Sequence, residues 1–257
     1  MVFKLTDICY SYGSRQAIRD LDLTLEAGGF YAVIGPNGCG KTTLMDLMCG
    51  HKRPGSGELA LHGRDLASYP KRELARRIAV VPQEYPVNFP YTAREMVMMG
   101  RYPHMPRFSA PSGQDFALVD ATLASCRAAG LADRLVTELS GGEKQRVVFA
   151  RAMAQQTPVL LLDEPCANLD IKHALLLLEL AADRVRQHRA TVVAVMHDIN
   201  LALRYADELI LMKDGRKAAA GPAEKSLKPE IIKHVFGVDA RINREPAVNA
   251  AQVTFVR

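Results

Sequence analysis

A chain of 257 residues with 48% hydrophobic and 24% charged residues has the composition of a folded globular protein, which excludes a disordered or collagen-like chain. The net charge of +5 is scattered, as in Lys71–Arg72 and Arg76–Arg77, so a solvated basic surface accounts for it and no partner class is selected. Five cysteines, an odd count without C-x-x-C spacing, exclude a disulfide framework or zinc module and fit a reducing compartment.

In chain order, Ile18, Leu21, Leu23 and Leu25 alternate with polar residues before Gly28–Gly29, the pattern of a half-buried strand. Phe30 to Ile34 is a short apolar run that reads as a buried strand ending at Gly35. A glycine-rich loop follows, and then a helix over Lys41 to Met48 stopped near Gly50. Glu58–Leu61 and Ile78–Val81 are further short strands. Between Gln83 and Glu138 five prolines, with Pro82 just before them, set the character. Here Thr92 and Glu95 form a capping box for one helix that ends at Gly100, and a second helix spans about Gly113 to Gly130. This stretch reads as an inserted helical lobe. From Leu139 the pattern is helix, strand, helix, strand, helix. The strands Val159–Asp163 and Thr191–Met196 are continuous apolar runs, as in a parallel sheet covered on both faces. Asp207–Met212 and Arg216–Ala220 flank the turn dipeptide Asp214–Gly215. After Gly221 one helix is expected, Pro229–Phe236. No apolar run approaches the ~18 residues that cross a bilayer, and Lys4 followed by Asp7 does not make a signal peptide, so any relation to a membrane runs through a partner.

Three motifs carry chemistry. Gly35-Pro36-Asn37-Gly38-Cys39-Gly40-Lys41-Thr42 fits G-x-x-x-x-G-K-[ST] and lies between an expected strand and an expected helix. Glycines let backbone N–H groups wrap phosphates, the helix N-terminus favours anions, Lys41 brings charge to the β- and γ-phosphates, and the Thr42 hydroxyl can ligate Mg²⁺. Val159–Glu164 is an apolar strand that delivers two carboxylates at its C-terminal end. There Asp163 can hold Mg²⁺ through water and Glu164 can act as general base. In Leu139-Ser140-Gly141-Gly142-Glu143-Lys144-Gln145-Arg146, Ser140 can cap a helix whose amides Gly141 and Gly142 expose, a second anion site. Cys39 lies inside the first loop. The helix N-terminus and Lys41 both favour its thiolate, which predicts an acidic thiol that a maleimide attacks before nucleotide binds.

With these motifs in this order, the sequence resembles the ATP-hydrolysing subunits of ATP-binding cassette (ABC) transporters, from Tyr12 to about Phe236. Gly35–Thr43, including Thr43, matches the Walker A loop, and Leu139–Arg146 matches the signature with Glu143 in place of the usual glutamine. Val159–Glu164 matches Walker B. Gln83 matches the Q-loop glutamine, a catalytic and Mg²⁺-facing position. Ala167-Asn168-Leu169-Asp170 matches the D-loop, His197 the switch histidine, and Tyr12 the aromatic that stacks on adenine. The implied fold is α/β: a P-loop NTPase core with a RecA-like sheet over 1–83 and 139–257, an antiparallel β subdomain, and an inserted α-helical subdomain over 84–138. The implied ligands are ATP and Mg²⁺. The implied assembly is a head-to-tail homodimer in which Ser140, Gly141 and Gly142 of one subunit cover the nucleotide of the other, which explains two anion sites in one chain.

Val81–Pro90 and the string Gly100-Arg101-Tyr102-Pro103-His104 resemble the subgroup that drives import of metal chelates, iron-siderophore first, then haem or cobalamin. The resemblance implies transmembrane permease subunits docked on 84–138, an indirect periplasmic or extracellular substrate-binding protein, and a peripheral place on the cytoplasmic face of the inner membrane. It implies no nucleic-acid partner. Met96, Met98, Met99 and Met105 read as core filling or as an adaptable interface. Exporter cassettes and importers for other cargo share the motifs. A DNA-repair ATPase would carry long coiled-coil insertions, a ribosome-associated factor would need two cassettes, and a passive nucleotide-binding module would not keep Glu164 and His197.

Overall fold

The computed structural model describes residues 1–86, 89–167, 169–245 and 250–256. The chain divides into two compact units, Met1–Tyr69 with Val185–Arg257, and Pro70–Arg184.

The first unit begins with β1 (Phe3–Tyr12) and β2 (Arg15–Leu25), then β3 (Phe30–Ile34), α1 (Lys41–Met48), β4 (Ser56–Leu61) and β5 (Arg64–Asp65). Alternation makes a one-sided antiparallel sheet of order β2-β1-β4-β5, with the apolar pairs Phe3↔Leu25, Leu5↔Leu23 and Ile8↔Leu21 buried. All five residues of β3 are buried, which follows from their unbroken apolar run.

The second unit holds α2 (Lys71–Ala75), β6 (Ile78–Val81), α3 (Ala93–Met98), α4 (Gly113–Ser125), α5 (Gly141–Ala154), β7 (Val159–Asp163) and most of α6 (Ile171–His188). Strands β6 and β7 pair in parallel, Ile78↔Val159 to Val81↔Leu162. Capping boxes open three helices: Thr92 with Glu95, Ser112 with Asp115, and Ser140 with Glu143. Helix α4 stops at Ser125 rather than Gly130. Arg127 takes the left-handed conformation (φ 51) and Ala128 N–H turns back to Leu123 O, a glycine-like stop without a glycine to announce it. Met96, Met98 and Met105 are buried, so they fill the core of the lobe.

The string Gly100–His104 is a clasp within this unit. A Cβ on Gly100 would lie 2.3 Å from Arg151 O, so only glycine lets the turn meet α5. Arg101 reaches Asp115 (3.0 Å) and Ala154 O (2.9 Å), His104 Nε2 bonds Gln155 O (2.8 Å), and Pro103 O accepts from the Nε atoms of Arg72 and Arg76. Tyr102 stays exposed.

The chain then returns to the first unit with β8 (Thr191–Val195), α7 (Ile199–Tyr205), β9 (Glu208–Lys213), β10 (Arg216–Pro222), α8 (Ala223–Ser226), α9 (Pro229–Phe236), β11 (Asp239–Glu245) and β12 (Ala250–Val256). Within this unit the order is β10-β9-β3-β8, with β3 parallel to both β8 and β9. The β11–β12 hairpin is an element that sequence reading missed. Its anchor is Asn200 on α7, whose side chain exchanges two hydrogen bonds with the Val253 backbone (3.3 and 2.8 Å) as a neighbouring strand would.

Candidate active site

In the first unit the C-terminal end of β3 feeds the phosphate loop. Gly40 precedes α1 at φ 104 and a Cβ there would lie 2.6 Å from Ala17 O, so glycine is required. It brings no capping side chain, and α1 has no acidic residue in its first turn. The first-turn N–H groups are therefore available to an anion, in the field of the helix N-terminus. Lys41 is buried, with Nζ donating to Gly35 O (2.8 Å) and Pro36 O (3.0 Å), so the loop's own carbonyls hold the ammonium in place. Thr42, Asn37 and Gly38 are exposed, while Thr43 is buried, its Oγ1 3.4 Å from Tyr12 Oη. Tyr12, at the end of β1, is half exposed. Tyr10 meets its ring edge-on at 5.1 Å, and Lys52 Nζ lies 5.4 Å from the ring centroid. His197 is exposed at the end of β8. The cap of α7 is Asp198, which accepts from the N–H groups of Asn200 and Leu201.

The expectation for Cys39 needs correction. Its side chain is 3% exposed and packs toward Gly35, where an added Cβ would lie 2.7 Å from Sγ. Burial pushes the thiol pKa up, and the opposing pull of Lys41 does not offset it. Short exposure of the native protein to N-ethylmaleimide, followed by peptide mass mapping, should label the partly exposed Cys9 and Cys166 before Cys39. Labelling of Cys39 first would restore the reactive-thiol reading.

The second unit carries the carboxylates. Asp163 is buried at the last position of β7. Glu164 follows at φ 50, a left-handed conformation costly for a side-chain-bearing residue, which turns its carboxylate out of the strand line. Gln83, just past β6, donates from Nε2 to Glu164 Oε2 at 3.0 Å. The parallel β6–β7 pair thus brings together two residues 81 positions apart. Within this unit Asp163 offers a carboxylate and Gln83 keeps its amide oxygen, hard oxygen donors of the kind that fit Mg²⁺.

Ser140 N-caps α5. Its hydroxyl accepts from Glu143 N–H, while its N–H and Oγ donate to Glu143 Oε2 at 2.9 and 2.8 Å. Those bonds hold the Glu143 carboxyl below its ordinary range, so the glutamate that replaces the usual glutamine is an ionised member of the cap. Ser140 and Gly141 remain exposed. Asp170 accepts from His173 N–H and lies 2.8 Å from His173 Nδ1, at the start of α6. Asn168 of the expected D-loop, with Val87 and Asn88 of the Val81–Pro90 string, lies outside the described residues.

Two residues that sequence reading passed over support this site. Gln145 Nε2 on α5 donates to Pro165 O at 3.2 Å and so ties the signature helix to the turn that carries Glu164. Arg151, half-buried on the same helix, stacks on Tyr85 at 4.3 Å, two residues beyond Gln83. Gln145 lay within a motif already noted, six positions after Leu139, but nothing in its residue type announces the contact.

The family model for ABC transporters matches residues 18–167. The cobalamin import ATP-binding protein of Halobacterium salinarum is 40% identical over 99% of this chain, which spans only 63% of that relative's length. The hemin import ATP-binding protein of Nocardia farcinica is 41% identical over 95% of this chain and 84% of the relative. The ferric enterobactin transport ATP-binding protein of Escherichia coli is 36% identical over 94% and 89%. Among solved structures, one described as a metal-chelate type ABC transporter in an inward-facing conformation superposes with a TM-score of 0.84 at 27% identity, covering 100% of this chain and 97% of that one. A dimeric ATP-binding cassette bound to ADP and Pi superposes at 0.77 with 28% identity, over 86% and 98%.

Proposed function

The chain belongs to the ABC transporter family, and from that premise we propose that it is the ATP-hydrolysing subunit of an importer for a metal chelate. The cargo is an iron-siderophore in the first instance, haem or cobalamin next. The observation that carries the ATPase reading is the Gln83–Glu164 hydrogen bond at the end of β7, beside the buried Asp163. It holds the Glu164 carboxylate in a defined orientation, which supports its reading as the general base that would activate an attacking water. Mg²⁺, held by Thr42 and Asp163 with Gln83, would neutralise charge on the transferring phosphoryl group. Lys41 and the α1 amides would bind phosphate, Tyr12 would stack on adenine, and His197 and Asp170 would serve as the switch and D-loop residues that the family resemblance assigns. Ser140, Gly141 and Gly142 act on the nucleotide of the other subunit of a head-to-tail homodimer.

Among the described residues no helix is long and apolar enough to cross a membrane. Permease subunits supply that path by docking on the 84–138 lobe at the cytoplasmic face, and a substrate-binding protein delivers the chelate from outside. The cargo reading draws support from the hemin, cobalamin and ferric enterobactin relatives. It is tested by reconstituting the chain with its permease in proteoliposomes and following ATP-driven uptake of labelled ferric siderophore, haem and cobalamin. Uptake of one chelate is expected. ATP hydrolysis with transport of none, or transport in the outward direction, would contradict it.

A further inference from the structure

The far end of α1 carries donor atoms that the nucleotide chemistry does not use. Asp46 and Cys49 stand three residues apart and so share a helix face. Gly50 then takes the left-handed conformation (φ 74) and the chain reverses, with the N–H groups of His51 and Lys52 both donating to Asp46 O at 2.9 and 3.0 Å. The reversal carries His51 back over the helix end. There a carboxylate oxygen of Asp46, the Cys49 sulfur and a ring nitrogen of His51 lie within 4.8 Å of one another.

We propose that Asp46, Cys49 and His51 form a binding site for a thiophilic divalent cation of the Zn²⁺ or Co²⁺ class, with water in the fourth position. One thiolate, one imidazole and one carboxylate make a donor set suited to such ions and ill matched to Mg²⁺. The helix C-terminus adds a favourable field for a cation. Ligand atoms around tetrahedral zinc stand roughly 3.3–3.8 Å apart. His51 Nδ1 is already 3.8 Å from Asp46 Oδ1, and the exposed imidazole can turn to close the remaining gap to sulfur. Lys52 pairs with Asp46 Oδ2 and leaves Oδ1 toward His51. On binding, the Cys49 thiol releases its proton to solvent as the metal–sulfur bond forms.

The test is titration of the full chain, without nucleotide, with Co²⁺. One equivalent should give the intense visible bands of four-coordinate cobalt and a near-ultraviolet thiolate-to-cobalt charge-transfer band, both removed by Zn²⁺. Cys49→Ser should abolish the charge-transfer band. His51→Ala, at a side chain 67% exposed and outside the packed core, should weaken binding at least about tenfold. No charge-transfer band in the wild type, an unchanged band in Cys49→Ser, or wild-type affinity in His51→Ala would each overturn the proposal.

Discussion

Glu164→Gln is expected to lower ATP turnover by about 10²–10⁴-fold, the usual cost of removing a general base, while ATP binding persists. The new amide matches the carboxylate in shape, and the Gln83 amide can flip so that its oxygen accepts where its nitrogen now donates at 3.0 Å. The left-handed turn at residue 164 is a backbone feature that glutamine tolerates as glutamate does. Lys41 and the loop amides are untouched, so nucleotide affinity should stay near wild type and the ATP-bound dimer should accumulate. Steady-state hydrolysis and binding of a fluorescent ATP analogue separate the two effects. Turnover above roughly a tenth of wild type would remove Glu164 from the role of base.

Gly35→Ala should damage nucleotide binding from the other side of the chemistry. A Cβ at residue 35 would sit 2.2 Å from Met212 O and 2.7 Å from Cys39 Sγ. Met212 lies in β9, hydrogen-bonded alongside β3 with Ile34 opposite Leu211, so neither backbone has room to yield. Relieving the overlap must displace the loop. Overpacking of this kind costs about 1–3 kcal/mol, which corresponds to an ATP affinity lowered by about 5–150-fold if the strain falls on the binding conformation. Gly38→Ala is the contrasting variant. Its φ of +77 strains alanine, but the nearest atom to the added Cβ is the tip of the Arg15 side chain at 3.4 Å, so a cost of about 1–2 kcal/mol is expected. Equilibrium ATP binding and thermal melting of both variants check the order. Gly35→Ala binding ATP as tightly as Gly38→Ala would show that the close approach is not decisive.

What the sequence made legible follows from local physics. Phe30–Ile34 and Val159–Asp163 are apolar runs cut off by polar or glycine residues, and the strands have those bounds. Ser140 and Thr92 cap helices because hydroxyls followed three residues later by glutamate close a reciprocal box. What stayed hidden depends on contacts distant in sequence. The helix N-terminus and Lys41, the features visible in sequence, pull the Cys39 thiol toward the thiolate, yet burial pushes its pKa up. The β11–β12 hairpin rests on Asn200, an amide some fifty residues away, and the polar run Asp239–Glu245 has no signal strong enough to announce a strand. Gly100–His104 was recognisable as a string, but its role as a clasp required the carbonyls of Arg151, Ala154 and Gln155 to be in place.

Each ATP is expected to be hydrolysed between two chains, with Lys41 supplied by one and Ser140 by the other. Ser140→Arg and Lys41→Ala chains, each inactive alone, can be mixed and their ATPase activity measured. Ser140 is exposed at the start of α5, so arginine there blocks its face without disturbing the core. A mixed dimer then holds one site with both lesions and one with neither, and activity should return in proportion to the mixed dimers formed. If mixing restores nothing while the two variants demonstrably associate, each site lies within a single chain and the shared-site reading is wrong.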